Sequence, residues 1–384
     1  MSARRKPRPV RFHRSLHSRE EAEAVARVLR SGRTGGGGKV SRRVESVIRR
    51  WTGGARVLLT PSGSAALEMA FQALRLRPGD EVILPSFAFV SAANAILRAG
   101  GRPVFAEVEE ESLNLSPDDV RRRLSARTRA VLPVHYGGRP CRMDEFLAMG
   151  RQKGVAIVED AAHAYGGRWQ GKPLGGIGDF GVYSFHETKS FSCGEGGALT
   201  IRSKKLVQRA EVIQEKGTDR TKFLRGDVGQ YVWREVGSSY LLGDVLAAIL
   251  EIQIRDVQPQ IARRRRWWQM YRDELLPLAE SGRIVLPLPL DEDRSACHIF
   301  HLQVRPVRDR NRVLRALSRA GIESSFHFVP LHSSPFGRRV LGTRRGDLPI
   351  TERVARSLIR LPLHPLLRES EVKRTIRAVR KAVG

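Results

Sequence analysis

Between Val57 and Asp160 short apolar runs alternate with stretches whose apolar residues recur at helical spacing. The runs are Val57-Leu58-Leu59, Val82-Ile83-Leu84, Pro103-Val104-Phe105, Ala130-Val131-Leu132 and Val155-Ala156-Ile157-Val158. The helical stretches between them are Ala65 to Leu74, Ser91 to Ala99 and Met143 to Lys153. Runs that are apolar throughout, with no polar alternation, suit strands covered on both faces, as in a parallel sheet linked by helices. An α/β domain is predicted. Gly181 to Phe185 and Gly197 to Ile201 read as two further strands, close enough in sequence to pair antiparallel. Beyond them Leu242, Val245, Leu246 and Ile249 share a helical face, and another helix is expected from about Gln260 to Leu276.

The two ends read differently. Ser18 to Leu29 is predicted helical, with Ser18 as cap and Glu20 and Glu21 in the first turn. The run Thr34-Gly35-Gly36-Gly37-Gly38 breaks that helix and reads equally as a loop over a site or as a linker. The last segment is predicted as strand His298 to Val304, helix Val313 to Ala320, strand Ser324 to Val329, and helices Glu352 to Arg360 and Glu369 to Ala382. That is a smaller α+β unit. The division is an N-terminal arm over 1–17, a large domain over 18–255 and a small domain over 256–384.

Of 384 residues 41% are hydrophobic and 28% charged, enough to bury a large core and unlike disordered, collagenous or disulfide-scaffold chains. Cys141, Cys193 and Cys297 are odd in number and far apart, which suggests reduced, buried thiols and neither a disulfide framework nor a metal site. The run Arg4-Arg5-Lys6-Pro7-Arg8 lacks the apolar core of a signal peptide and reads as a short disordered arm. With no bilayer-length apolar tract, a cytoplasmic protein without a membrane partner is expected. A net charge of +28 invites a nucleic-acid-binding or regulatory reading. The basic residues are mostly Arg and scattered through every segment, so no nucleic-acid partner is expected.

The chemistry concentrates between Ile157 and Gly197. Asp160 follows a buried strand at its C-terminal end, where open α/β sheets place ligands. Lys189 stands between a strand and the turn Gly194-Glu195-Gly196-Gly197, in a chain that uses Lys sparingly. A partly desolvated Lys has a lowered pKa and serves as a Schiff-base amine; a buried ion pair or plain surface charges are the alternatives for these two residues. The third element, Thr60-Pro61-Ser62-Gly63-Ser64-Ala65-Ala66-Leu67, is a strand ending in hydroxyls and glycine that open a helix. Such a start binds phosphate, or is an ordinary helix cap. Phosphate site, acid and lysine together match the needs of pyridoxal 5'-phosphate. Gly176-Ile177-Gly178-Asp179-Phe180-Gly181 fits GxGxxG, yet it precedes a strand and opens no helix, so it is no dinucleotide fingerprint.

These strings, with Pro133-Val134-His135-Tyr136, Glu215-Lys216-Gly217-Thr218, Gly237-Ser238-Ser239-Tyr240-Leu241 and Pro330-Leu331-His332, resemble the DegT/DnrJ/EryC1/StrS sugar aminotransferases. Within that family the likeness is to the transaminases that make dTDP-4-amino-4,6-dideoxygalactose from dTDP-4-dehydro-6-deoxy-D-glucose. The resemblance implies the fold-type-I architecture, a mostly parallel seven-stranded sheet flanked by helices with a smaller C-terminal α+β domain. It implies glutamate as amino donor, a nucleotide-sugar acceptor and a homodimer with shared active sites. Lys189 is similar to the family's Schiff-base lysine, Asp160 to the partner of the ring nitrogen, and Gly63, Ser64 and Ser184 to phosphate contacts. Phe89 stands where an aromatic ring stacks on the pyridine, and His163 where most members carry Gln near the ring hydroxyl. Ser239 and Leu241 replace an Asn and Arg pattern that reaches the neighbouring subunit's phosphate, so only Ser239 retains a donor there. His186, His327 and His332 are candidate sugar contacts, with packed structural histidines as the alternative. Relatives that are dehydratases carry His in place of Lys189, which argues against that chemistry here.

Overall fold

Each uniformly apolar run is a strand in the computed structural model, which describes residues 8–54, 56–290 and 295–384. In chain order the large domain holds β1 Arg56–Thr60, β2 Glu81–Pro85, β3 Arg102–Ala106, β4 Thr128–Val131, β5 Ala156–Asp160, the short pair β6 Arg168–Trp169 and β7 Lys172–Pro173, then β8 Phe180–Ser184 and β9 Gly197–Ile201. Seven of these form one sheet in the order β1-β9-β8-β5-β4-β2-β3. Only β9 runs against its neighbours β1 and β8; the remaining pairings are parallel. Alternate residues enter opposite cores, with Leu59, Ile83 and Ile157 on one face and Leu58, Leu84 and Val158 on the other. Each such side chain, fully buried, contributes on the order of 1.5–3 kcal/mol. Helices Lys39–Thr52, Met143–Lys153 and Asp244–Gln253 cover the first face, and Gly63–Ala73 and Val90–Arg98 the second. At Gly197 a Cβ would lie 2.4 Å from the Ser62 carbonyl, so only glycine lets the start of helix Gly63–Ala73 sit against the sheet edge.

Helix Lys39–Thr52 was not anticipated, and it settles the glycine run. Gly38 caps that helix, whose first amides are taken by a side chain from far along the chain: Asp244 accepts from Val40 N at 3.1 Å and Ser41 N at 3.0 Å. Gly36 pairs with Gly243. Gly36 and Gly38 therefore pin the run as a turn against Leu241 to Asp244, with Gly35 and Gly37 on its exposed side.

The small domain holds β10 Ile284–Val285, β11 Phe300–Val304 and β12 Leu358–Leu361 in an antiparallel sheet. Helices Gln258–Glu280, Arg310–Arg319 and Glu369–Val383 pack on it around Trp267, Tyr271, Phe300 and Ile376. Two expectations fail here. The helix expected over Glu352 to Arg360 ends at Ser357, because Leu358 to Leu361 pair with β11 in register, and strand pairing overrides a helical pattern. Ser324 to Val329 is no strand; Ser325 alone bridges to Arg360, and the segment forms a cavity wall.

Helix Gln258–Glu280 joins the two units, placing Ile261 in the large core and Trp267, Trp268, Tyr271 and Leu275 in the small one. Of the expected arm, Arg4 to Pro7 lies outside the described residues. Farther on, Val10 is fully buried in the small-domain core and exchanges backbone hydrogen bonds with Gly321 and Glu323. Among the described residues no helix is long and apolar enough to cross a membrane. The three cysteines are free thiols and buried.

Candidate active site

The C-terminal ends of β1, β5 and β8 meet at one edge of the sheet, where a cavity of about 820 Å³ opens between the two domains. Its lining brings together Gly63, Ser64, Phe89, Asp160, His163, Ser184, His186, Lys189 and His327, nine of the eleven site residues expected from the sequence.

Asp160 is the last residue of β5, and its Oδ1 accepts the Ala162 amide at 3.0 Å. Burial raises its pKa above the ordinary aspartate value, opposed by the Ala162 hydrogen bond and by the positive charge of Lys189. The preceding residue, Glu159, points to the other face and takes the amides of Gly175, Ile177 and Gly178 at 2.6–2.9 Å, together with His135 Nε2 at 3.0 Å. Ile177 and Gly178 of the GxGxxG string thus cradle a buried carboxylate, and its glycines are fixed by close backbone approaches, since a Cβ on Gly176, Gly178 or Gly181 would lie 2.0–2.7 Å from a backbone oxygen, without any nucleotide. The strand's period of two separates the roles of these adjacent acids.

Lys189 follows β8 and lines the cavity. Burial pushes its amine down to about 8, with Asp160 pulling it up and Arg360 pulling it further down. A substantial fraction is therefore the nucleophilic free amine near neutral to mildly alkaline pH.

Opposite them lies the start of helix Gly63–Ala73. Ser62 Oγ accepts from Ala65 N at 3.1 Å and Ser62 O from Ala66 N at 3.2 Å, leaving the amides of Gly63 and Ser64 to the cavity those residues line. A Cβ on Gly63 would come within 3.0 Å of Ser184 Cβ, so glycine holds this helix end close to β8. Helix dipole, free amides and two hydroxyls form an anion cradle. A cradle for phosphate, a buried carboxylate and a desolvated lysine amine in one cavity are the donor set that pyridoxal phosphate requires, so the residues present fit that group.

His163 lies tilted 4.6 Å from His298 and stacked 6.1 Å from His327, and its Nδ1 accepts the Gly137 amide at 3.4 Å. Burial and the nearby Lys189 charge hold all three imidazoles well below the usual histidine range, so they are neutral. The proton of His163 then sits on Nε2, which keeps it a donor. His327 Nε2 accepts from Arg360 Nη1 at 3.1 Å, so its Nδ1 donates to Tyr136 Oη at 2.8 Å. His186 is half-exposed, with Nδ1 on Thr188 Oγ1 at 2.9 Å. Phe89 is 61% exposed and 6.3 Å from Phe328.

Two expected residues lie elsewhere. His332 is fully buried behind the cavity: Nε2 donates to Glu352 Oε1 at 3.0 Å and Nδ1 accepts from Ser86 Oγ at 2.7 Å. Both nitrogens are used, so it ties the end of β2 to helix Pro349–Ser357 and has none left for a sugar. His332→Ala is expected to cost about 2 kcal/mol, since it strands a buried hydroxyl and a carboxylate; the chemical denaturation midpoint measures this. Ser239 is exposed, paired with Glu215 in a bridge, and outside this chain's own cavity lining.

Arg264, Arg360, Phe12, His13 and His298 line the cavity and were not foreseen. Two had a visible signal. Arg264 occupies a core position in the stripe Ile261, Arg264, Trp268, Tyr271, Leu275, and Arg360 is the lone charge in Leu358-Ile359-Arg360-Leu361. Phe12 and His13 come from the arm, which no local pattern places near the site.

Residues 16–380 match the model of the DegT/DnrJ/EryC1/StrS aminotransferase family. The chain is 32% identical over 382 residues to dTDP-4-dehydro-2,3,6-trideoxy-D-glucose 4-aminotransferase of Saccharopolyspora spinosa, covering 97% of each chain. It is 31% identical over 375 residues to the spore coat polysaccharide biosynthesis protein SpsC of Bacillus subtilis, covering 96% of this chain and 95% of that one. The crystal structure of the aminotransferase TlmJ from Streptoalloteichus hindustanus superposes with a TM-score of 0.88 at 31% identity, over 97% of this chain and 98% of the other.

Proposed function

The chain belongs to the DegT/DnrJ/EryC1/StrS aminotransferase family, and from that premise we propose that it transfers the amino group of L-glutamate to a keto nucleotide sugar with pyridoxal 5'-phosphate as cofactor. The favoured acceptor is dTDP-4-dehydro-6-deoxy-D-glucose, aminated at C4 to dTDP-4-amino-4,6-dideoxygalactose. The observation that carries the reading is the meeting of Lys189, Asp160 and the Gly63–Ser64 helix start in one cavity. A C4 keto sugar is supported by the name of the Saccharopolyspora relative, a 4-aminotransferase of a dTDP-4-dehydro sugar.

The bound cofactor supplies an electron sink that makes a carbon-bound proton of the substrate acidic. The protein's own groups do the rest. Gly63, Ser64 and Ser184 would hold the phosphate, and Asp160 would keep a proton on the ring nitrogen. His163 would donate from Nε2 to the ring hydroxyl, and Phe89 would cover one face of the ring. Lys189, with its amine near 8, would hold the cofactor between turnovers and, as a free amine, would carry the proton. His186 and His327 face the space left for the sugar.

A homodimer accompanies this reading. The segment ahead of Ser239, the short helix Arg220–Arg225 and the loop after it, exposes Leu224, Tyr231, Trp233 at 77% and Val236 at 79%. An apolar cluster of that kind calls for a covering partner, and a second copy would bring Ser239 toward the neighbouring phosphate site.

The visible spectrum of the purified protein tests the reading. A yellow protein that loses its colour with glutamate and regains it with the keto nucleotide sugar, sedimenting as two chains, is expected. A protein that stays colourless with added pyridoxal phosphate would overturn it.

A further inference from the structure

Arg264 and Arg360 are cations in the cavity wall that pair with no acid among the described residues. Arg264 comes from helix Gln258–Glu280 and Arg360 from β12, so both reach the cavity from elements other than those that build the Gly63–Ser64 anion cradle. Arg264 is buried, donates from Nη2 to Ser190 O at 2.7 Å, and leaves Nη1 without a partner. Arg360 is held by His327 Nε2 and by the ring of Phe12 at 4.6 Å, and leaves Nε without a partner. Among the described residues no carboxylate pairs with either guanidinium, in a chain where arginines elsewhere pair with acids again and again. Burial without a counter-ion pulls both guanidinium pKa values down. An unpaired buried charge is costly, and an anionic ligand entering the cavity would offset that cost.

We propose that Arg360 and Arg264 form the recognition site for the two carboxylates of an acidic amino donor, with Arg360 taking the α-carboxylate. The proposal rests on the aminotransferase reading and deepens it. Arg360 stands close enough to Lys189 for its charge to bear on that amine. An α-carboxylate is bonded to the carbon whose nitrogen is transferred, so its counter-ion belongs beside Lys189. The pyrophosphate of a nucleotide sugar leaves from C1, across the ring from a C4 keto group, and belongs farther out. The guanidinium fork matches a carboxylate in shape as well as charge. Two such forks favour glutamate over a donor with one carboxylate.

The test follows colour loss of the holoenzyme with L-glutamate and with L-alanine, and calorimetric binding of unreactive glutarate. Arg360→Gln is expected to raise the half-saturating glutamate concentration about 100-fold and to abolish glutarate binding, with Arg360→Lys recovering about tenfold of the loss. Arg264→Gln is expected to lower the preference for glutamate over alanine about tenfold. Near-ultraviolet circular dichroism checks folding, and Arg360, which is less completely buried than Arg264, keeps the test decisive if Arg264→Gln misfolds. Variants that react with glutamate and bind glutarate as wild type does would overturn the proposal. So would a loss confined to the nucleotide-sugar step, which would place the anion on the pyrophosphate. A wild type that never loses colour with glutamate is instead a failure of the aminotransferase reading itself.

Discussion

Lys189→Arg is expected to lower turnover by at least about 10⁴-fold while the fold persists. Arginine keeps a cation in the cavity but never gives it up near neutral pH, so it can neither bind the cofactor covalently nor carry a proton. The measurement is kcat with glutamate and a keto nucleotide sugar, beside a far-ultraviolet spectrum to show that the fold is retained. Retained transamination would remove Lys189 from the mechanism. The same residue leaves a mark on stability. Its amine is near 8 in the folded protein, below the roughly 10.4 of an unfolded lysine. Between those values the unfolded chain binds more protons, so the cofactor-free protein gains stability as pH rises through the window and levels off above it. Lys189→Met removes that dependence: the variant should be the more stable of the two at pH 7, and the difference should vanish above roughly pH 10.4. A denaturant titration at pH 7, 9 and 11 checks both the sign and the window.

Asp160→Asn is expected to lower kcat about 10²- to 10³-fold, the scale of removing one preorganised electrostatic partner from a buried site. The amide is nearly isosteric and its oxygen still accepts from Ala162 N, so the geometry at the end of β5 survives. What is lost is the negative charge, and with it the reason for a proton to stay on the ring nitrogen. Activity within about threefold of wild type would show that another group fills this role. Glu159→Gln makes the contrast, since Glu159 faces the glycine cradle and His135. That change should lower stability by about 1–3 kcal/mol.

Most of the large domain could be read from its sequence because its strands are buried on both faces. A run such as Val82-Ile83-Leu84 has one physical use, as an inner strand of a covered sheet. Asp160 and Lys189 were legible for a related reason, since a carboxylate or an amine just past a buried strand falls at the ligand-binding edge of such a sheet. The small domain was less legible. Glu352 to Arg360 carries a helical pattern to its end, and only pairing with β11 turns Leu358 to Leu361 into a strand. That change of period directs Ile359 and Leu361 into the small-domain core and leaves Arg360 in the cavity wall.

His327 and His332 show the same division within one short segment. Both are histidines five residues apart, and nothing in their spacing separates a cavity residue from a structural tie. Their partners do, with Tyr136 and Arg360 around His327 and Ser86 and Glu352 around His332. The sequence by itself determined the layered fold, the family, and the placing of Asp160 and Lys189 at the cavity edge of the sheet, because those follow from local period, from motif strings and from residues at strand ends. Tertiary structure alone decided which histidines face the cavity, that Phe12 and His13 wall it, and that Arg264 and Arg360 stand there without acid partners among the described residues, because each depends on contacts between segments that a local pattern does not encode.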